Sequence, residues 1–301
     1  MAEEAALEED EMKKTEAMRR GLTRSIVWTA ALLVLAPLFA QEAEYSDGGR
    51  ELRRCPRDVK SFTIPSTVLE IGDHAFAGCS LLESVTIPDS VREIEDEAFR
   101  GCISLASVTI PASVREIEDD AFWGCSSLDS IEVDSGNRAY RSIDGALYSR
   151  NKKVLRCCPG KRTSFEIPSS VTIIGDSAFG GCGSLKSVTI PDSVREIEDE
   201  AFRDCVSLAG ITIPDSVREI EDEAFRGCSS LVSVEIPSSV REIGDRTFMD
   251  CGSLESVTIP ASVREIGDNA FSGCPKLTIT AKSGSVAWRY AERRNIPLKE
   301  L

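Results

Sequence analysis

Carboxylates and thiols are the side chains of this sequence that could do chemistry. The chain has 301 residues, of which 50 are aspartate or glutamate and 11 are cysteine, but it has a single histidine, His74. Most acid–base and nucleophilic catalysis near neutral pH uses histidine, whereas paired carboxylates can catalyse hydrolysis and thiolates can bind metals. The composition therefore disfavours a histidine-dependent enzyme and leaves a carboxylate-based hydrolase as an alternative.

One aspartate recurs at a regular interval, with further acidic residues beside it. This spacing allows two interpretations, a ladder of calcium ligands or a series of caps for short helical turns that follow each aspartate. We favour capping, which stabilises each turn by about 1 kcal/mol, comparable with the repulsion between carboxylates of neighbouring repeats. The recurring positions are Asp73, Asp96, Asp119, Asp176, Asp199, Asp222, Asp245 and Asp268.

Eight of the cysteines share the same interval, and no pair has the Cys-x-x-Cys spacing that is typical of zinc sites. We expect these eight to be buried free thiols that pack as small apolar side chains. Cys55, Cys157 and Cys158 lie outside the interval, so they are predicted to be the reactive or bridging thiols. No catalytic residue, cofactor or metal site is predicted. The eight are Cys79, Cys102, Cys125, Cys182, Cys205, Cys228, Cys251 and Cys274.

A repeat of 23 residues positions these side chains. The stretch SVTIPDSVREIEDEAFR occupies residues 84–100 and returns unchanged at 187–203. Leucine, isoleucine and phenylalanine recur in the same phase, and a fixed period in the twenties indicates a solenoid in which each repeat forms one coil. The repeated prolines are Pro65, Pro88, Pro111, Pro168, Pro191, Pro214, Pro237 and Pro260.

Each coil is predicted to contain a short strand and a helical turn. Residues 84–87 alternate polar and apolar, which indicates a strand that turns Val85 and Ile87 inward, and Pro88 ends it. Val91 and Ile94 form the next inward pair, and a helical turn is expected around residues 96–99. The predicted fold is a repeat solenoid, mainly β with short helical turns.

The repeat unit, Leu-x-x-Val-x-Ile-Pro-x-x-Val-x-x-Ile-x-x-x-Ala-Phe-x-x-Cys, resembles that of the BspA-like (treponemal-type) leucine-rich repeat family. The resemblance covers about residues 59–280 and recurs eight times in register. The resemblance implies a leucine-rich-repeat solenoid in which the strands form a curved parallel sheet, display on a bacterial surface and a part in adhesion.

The remaining segments divide the chain further. Residues 1–17 form an acidic leader, which is not translated if synthesis starts at Met18, and residues 18–40 resemble a signal peptide, with three arginines before the apolar run 26–40. A membrane anchor formed by residues 26–40 is the alternative. The predicted parts after these are a linker or N-terminal cap (41–58), repeats (59–133), an extended repeat with a β-hairpin insertion (134–166), repeats (167–280) and a C-terminal capping helix (281–301).

The outward side chains of the strands are the predicted binding face. Small hydroxyls dominate it, which suits hydrogen bonding to an extracellular protein or glycan. The net charge of −15 disfavours nucleic acid, and contact with a membrane is expected only through the N-terminal apolar segment. We expect a monomeric, secreted or cell-surface protein, with an intracellular interaction scaffold as the alternative and the insertion as a second contact. The face comprises Ser84, Thr86, Ser107, Thr109, Ser130, Glu132, Ser187, Thr189, Thr212, Ser233, Glu235, Ser256 and Thr258.

Overall fold

The structure is a computed structural model, and it describes residues 42–301. The predicted leader and signal peptide lie outside the described residues. No helix within residues 42–301 is long and apolar enough to cross a membrane.

The predicted strand is present in nearly every coil and pairs in parallel with the same strand of the next coil. Proline lies just after most of these strands and limits their length, since it cannot donate to the ladder. The strands at residues 130–133 and 278–281 are followed by Asp134 and Lys282 instead. These strands are β3 (Ser61–Thr63), β5 (Ser84–Thr86), β7 (Ser107–Ile110), β9 (Ser130–Val133), β13 (Ser164–Glu166), β15 (Ser187–Thr189), β18 (Ser233–Glu235), β20 (Ser256–Ile259) and β22 (Thr278–Ala281).

A second parallel ladder runs along another side of the coils and was not predicted as strand. Each of its strands is two residues long, and its isoleucine points into the core. These strands are β4 (Glu70–Ile71), β6 (Glu93–Ile94), β8 (Glu116–Ile117), β14 (Ile173–Ile174), β16 (Glu196–Ile197), β17 (Glu219–Ile220), β19 (Glu242–Ile243) and β21 (Glu265–Ile266). Most coils of the solenoid therefore contribute one strand to each of two parallel strand columns.

The predicted helical turn is a non-helical turn. Glu97 and Gly101 have φ of +51° and +67°, values that a right-handed helix cannot contain. One hydrogen bond lies within the turn, from the Arg100 N–H to Glu97 O (2.9 Å). Another joins the turn to the next coil, from the Phe99 N–H to Ala121 O (2.7 Å). This third side thus also joins consecutive coils.

Stacked phenylalanines fill the interior of the coils. The Phe76 and Phe99 rings stack with centroids 4.7 Å apart, and the Phe179, Phe202 and Phe225 rings continue in the same way at 4.7 and 5.1 Å. Leucine, isoleucine and cysteine of the same phase surround this stack. The core forms two clusters of buried side chains, one before and one after the insertion.

The insertion forms a hairpin, as the fold prediction expected. Strands β10 (Tyr140–Ile143) and β11 (Ala146–Ser149) pair antiparallel around Asp144-Gly145, whose φ angles are +49° and +72°. This turn matches the Asp-Gly signal for a two-residue hairpin. Strand β12 (Val154–Cys157) pairs antiparallel with β11 and parallel with β14, and so returns the chain to the solenoid.

Both ends of the described solenoid are covered by non-repeat elements. At the start, β1 (Glu44–Tyr45) pairs antiparallel with β2 (Glu51–Arg54). At the end, helix α1 (Val286–Arg294) begins after its N-cap Ser285 and places Tyr290 edge-on to Phe271, with ring centroids 5.9 Å apart. Strand β23 (Leu298–Glu300) then pairs in parallel with β22.

Candidate functional site

The predicted binding residues lie in rows across the first strand column. Ser61, Ser84, Ser107 and Ser130 are direct neighbours in the register of β3, β5, β7 and β9, and Thr109 pairs with Glu132. Most of these side chains are exposed, because the apolar residues between them point into the core. We call the outward side chains of this column the hydroxyl face.

The second half of the chain continues the hydroxyl face in two groups. Ser187 and Thr189 on β15 pair with Ser164 and Glu166 on β13. In β18, β20 and β22, Ser233, Ser256 and Thr278 form one row, and Glu235, Thr258 and Thr280 form the other. The sequence prediction omitted residues 61, 63, 164, 166, 278 and 280, although they occupy the same repeat positions.

Three of the predicted residues differ from the others in their setting. Thr212 is exposed but lies in a segment without strand pairing, between β15 and β18. Ser130 and Thr258 are only half-exposed. The structure therefore brings twelve of the thirteen predicted residues onto paired strands, in groups on either side of the insertion.

The second strand column carries two rows of glutamates, separated at the insertion by Val154 and Ile173. Glu51, Glu70, Glu93 and Glu116 are register neighbours before the insertion, and Glu196, Glu219, Glu242 and Glu265 are neighbours after it. Together with the acidic residues that follow each strand, they form a surface that we call the acidic face.

Burial and the crowding of like charges raise the pKa of carboxyls on the acidic face. Burial, reinforced by Asp199, Glu198 and other nearby carboxylates, raises the pKa of Glu221 to about 7. Burial, Asp119 and Glu198 likewise raise the pKa of Asp176 to about 6. These carboxyls thus titrate close to neutral pH, in the range where a carboxylic acid can act as a general acid.

Three carboxylates come close enough to hold a metal ion. One oxygen from each of Glu70, Glu93 and Glu95 lies within 4.8 Å of the other two. All three residues are half-buried. Oxygen ligands of this kind suit calcium, but each of the three belongs to a repeated position.

The recurring aspartates join neighbouring coils instead of capping their own turns. Asp199 Oδ1 accepts the Asp222 N–H at 2.8 Å, Asp222 Oδ1 accepts the Asp245 N–H at 2.6 Å, and Asp245 Oδ1 accepts the Asp268 N–H at 2.6 Å. For these three residues the capping prediction was wrong. Their carboxylates still satisfy backbone donors, so the structure supports a scaffold role for them.

The eight recurring cysteines form a column of free thiols, and seven of them are buried, as predicted. Six of the eight thiols donate to the phenylalanine carbonyl of the preceding coil, as Cys102 Sγ does to Phe76 O (3.1 Å) and Cys228 Sγ does to Phe202 O (3.2 Å). Cys182 Sγ, the first after the insertion, donates to Cys158 O (3.6 Å). Burial raises the pKa of Cys228 to about 12. The Cys228 thiol is therefore a protonated structural group.

The three predicted reactive thiols also lie in or beside the core. Cys55 and Cys158 are buried, and each donates its N–H to the alanine carbonyl of the next coil, the hydrogen bond that phenylalanine makes elsewhere. Cys157 is half-buried. A hydrogen bond with Cys79 and burial raise the pKa of Cys55, and burial raises that of Cys157 and Cys158. Their reactivity stays a prediction that requires local opening of the fold.

Sequence reasoning missed Cys274, the last thiol of the column. It is half-exposed and lines a cavity of about 450 Å³ between the last coil and α1. A hydrogen bond from Cys251 lowers the pKa of Cys274. The signal was available in the sequence, because no further coil follows to cover this position.

Comparisons with known proteins agree with this architecture. Among models of protein families, the BspA type leucine-rich repeat region matches residues 53–151 and 150–278 in six copies. A search of curated protein sequences gave no match.

Solved structures of bacterial leucine-rich repeat proteins are similar to this chain. A leucine-rich cell surface protein from Faecalibacterium prausnitzii is 37% identical over 78% of this chain, with a TM-score of 0.69, and this chain spans 62% of that protein. A leucine-rich repeat protein from Eubacterium ventriosum is 27% identical over 75% of this chain and 68% of its own length (TM-score 0.63). The pneumococcal vaccine antigen PcpA, 21% identical over 81% of this chain and 68% of its own length (TM-score 0.66), shares the fold. With more than two thirds of its length matched and its coils in register, this chain belongs to the BspA-type leucine-rich repeat family.

Proposed function

We propose that this protein is a non-catalytic binding protein, secreted or displayed on a bacterial surface, that holds an extracellular protein or glycan against its hydroxyl face. The observation that carries the proposal is the register of this face: within each group of paired strands, serine lies beside serine or threonine, and threonine lies beside threonine or glutamate. A flat row of identical donors and acceptors is suited to a partner that is itself repetitive.

Repetition compensates for the weakness of each contact. A single hydrogen bond to a hydroxyl contributes about 0.5–1.5 kcal/mol, and the hydroxyl face has no aromatic side chain that could serve as an anchor. The strands hold the hydroxyls in place before binding, so little conformational entropy is lost when several contacts form together. We therefore expect modest affinity per coil and higher affinity for long or multivalent partners.

The family supports placement at the cell surface. The relative from Faecalibacterium prausnitzii is described as a cell surface protein. In the present chain the arginines and apolar run of residues 18–40 agree with secretion or anchoring.

The acidic face gives less support to a hydrolase. A hydrolase needs one acid and one base or nucleophile in unlike settings. Glu221 lies in a cavity of about 280 Å³ with Glu219 and Glu242, but the same arrangement of glutamates recurs along the column. Like-charge crowding and partial burial account for the raised pKa of Glu221 without a catalytic role.

A binding screen tests the proposal. The full-length chain is applied to immobilised extracellular-matrix proteins and mucin glycans beside a variant with Thr86→Lys, Thr109→Lys, Thr189→Lys and Thr212→Lys. We expect binding that the fourfold variant loses while it keeps its thermal unfolding temperature. Binding that survives the four substitutions would exclude the hydroxyl face as the contact.

A further inference from the structure

The insertion carries a positive charge that contrasts with the rest of this acidic chain. Residues 134–166 contain eight lysines and arginines and three acidic residues, although the whole chain has a net charge of −15. Three of the eight cations are paired: Arg156 with Asp119, Lys161 with Asp129, and Arg162 with Asp144.

Three other cations of the insertion line one groove. Arg141, Arg150 and Lys152 surround a volume of about 340 Å³ between the end of β9 and the hairpin. None of the three forms an ion pair with another residue in the part of the chain that the structure describes. We call this site the basic groove.

The backbone that presents these cations is held in place. The Arg150 N–H donates to Ala139 O at 2.7 Å, and the Lys152 N–H donates to Ser149 O at 2.8 Å. Arg141 lies in the hairpin, in register with Tyr148. The cationic side chains thus start from fixed positions and converge on the groove before any ligand binds.

Asp134 is the one carboxylate that lines the basic groove. Its Oδ1 accepts the N–H of Gly136 at 2.7 Å, which orders the loop after β9. Three cations against one carboxylate leave the groove with a positive charge and no partner among the described residues. The three cations are two arginines and a lysine, and these side-chain types bind carboxylate and sulfate groups most effectively.

The other lining residues fit a sugar. Ser135 and Ser142 offer hydroxyls for hydrogen bonds, while Val133 and Ile143 offer aliphatic surface for the C–H face of a ring. The volume is near the lower limit for small-ligand pockets, so it suits a terminal sugar better than a segment of a long polymer. Exposed Glu132 lies on β9 beside the lining residue Val133 and would repel an extended polyanion such as a nucleic acid.

From these contacts we infer that the basic groove binds a terminal anionic sugar, carboxylated or sulfated, of an extracellular glycan. This inference rests on the proposed binding function and names its ligand class. The groove begins where β9 ends, and β9 is the last strand of the first group on the hydroxyl face. A glycan whose neutral part lies on the hydroxyl face can therefore place its charged end in the groove.

The test compares two variants of equal charge. The full-length chain with Arg141→Gln, Arg150→Gln and Lys152→Gln loses three cations from the basic groove, and the control with Lys153→Gln, Lys186→Gln and Lys276→Gln loses three exposed cations elsewhere. Binding is measured by calorimetry to a sialylated oligosaccharide, a sulfated oligosaccharide and the neutral parent of each, with inorganic sulfate as a fourth ligand.

We expect the groove variant to bind at least one anionic oligosaccharide about tenfold more weakly than the wild type, because several charge-assisted hydrogen bonds are lost. The control variant should change affinity by less than about twofold, since its cations lie outside the groove. The preference between the sialylated and the sulfated ligand then identifies which anion the groove accepts.

Three outcomes would overturn the inference. Equal losses in both variants would mean that only overall charge matters, and sulfate binding as tight as oligosaccharide binding would mean an anion site without sugar recognition. Neutral oligosaccharides that bind as well as the anionic ones, and lose affinity only in the hydroxyl-face variant, would overturn the groove while leaving the proposed function intact. Thermal unfolding of each variant verifies that the hairpin has folded.

Discussion

The carboxylate of Asp199 accepts the backbone N–H of Asp222, one coil further along the chain, at 2.8 Å. Asp222 makes the same contact with Asp245. Each aspartate therefore joins its coil to the next while it repels the carboxylates on both sides, and the two effects can be separated by substitution.

The first prediction distinguishes the effect of the hydrogen-bond acceptor of the Asp222 side chain from the effect of its negative charge. Asp222→Asn keeps an oxygen acceptor and removes the repulsion from Asp199 and Asp245, whereas Asp222→Ala removes both. Carboxylates in adjacent coils, about 5 Å apart, repel by roughly 0.8 kcal/mol per pair in water before screening. We expect Asp222→Asn to unfold at or above the wild-type temperature and Asp222→Ala to be about 1 kcal/mol less stable than Asp222→Asn. A less stable asparagine variant at low salt would contradict this account.

The second prediction concerns pH. Because the pKa of Glu221 is raised to about 7 and that of Asp176 to about 6, the folded chain holds more protons than the unfolded chain between these values and the ordinary carboxyl range. Stability therefore falls as pH rises through this window. We expect a higher unfolding temperature at pH 5.5 than at pH 8, measured at equal ionic strength. Glu221→Gln should reduce the difference, and a higher unfolding temperature at pH 8 would exclude this origin.

Glu223 causes the stability of the fold to decrease again at lower pH. Burial alone would raise the pKa of Glu223, but hydrogen bonds from Arg226 (2.7 Å) and Arg246 (3.1 Å) outweigh burial and lower it. A lowered carboxyl pKa contributes stability above the unfolded value, and this stability is lost as pH falls through the folded pKa. Stability should thus pass through a maximum in mildly acid solution, and Glu223→Gln should reduce the loss on its acid side.

The third prediction concerns thiol reactivity. In the native protein, alkylation followed by peptide mapping should modify Cys274 before the other described cysteines, because it is half-exposed and Cys251 lowers its pKa. Cys79 has a comparable neighbour in Cys55 but is buried, so it serves as the internal control. Modification of Cys55 or Cys158 at the same rate would show that the core opens readily.

The fourth prediction concerns the stacked core. Phe202 lies between Phe179 and Phe225, with ring centroids at 4.7 and 5.1 Å. Phe202→Ala should lower the free energy of unfolding by about 3–5 kcal/mol, as for other large-to-small changes in cores. Val206→Ala, an exposed change in the same coil, should alter it by less than about 0.5 kcal/mol. The free energy of unfolding is measured in urea. A similar decrease in both variants would contradict a special contribution of the stacked phenylalanines to stability.

Features fixed by periodicity were predictable from the sequence. The inward phase of Phe99, Cys102 and Leu105 and the outward phase of Ser107 and Thr109 follow from the 23-residue step and the two-residue alternation of a strand. The hairpin was predictable for a different reason: the Asp-Gly pair follows a local turn rule that determines its backbone.

Contacts between coils were not predictable in the same way. Glu93–Ile94 is too short to show alternation, so the second strand column is visible only when the coils are stacked. The left-handed backbone at Glu97 rules out the helical turn. The same repeat position holds Ser177 and Arg246 in other coils and no glycine marks it, so the sequence gives no sign of this conformation. The exposure of Cys274 is an intermediate case: its own repeat does not show it, but the change from repeats to the C-terminal helix does.

Graded loss of binding along the hydroxyl face tests the central claim most directly. Thr86→Lys, Thr109→Lys, Thr189→Lys and Thr212→Lys are introduced one at a time and then cumulatively, and the dissociation constant for a partner found in the screen is measured for each. The charge-matched controls are Glu93→Gln and Glu116→Gln on the acidic face, each of which also raises the net charge by one. Multipoint binding predicts a stepwise weakening with each added lysine and little effect of the controls, whereas complete loss at a single position, or equal loss in the controls, would contradict it.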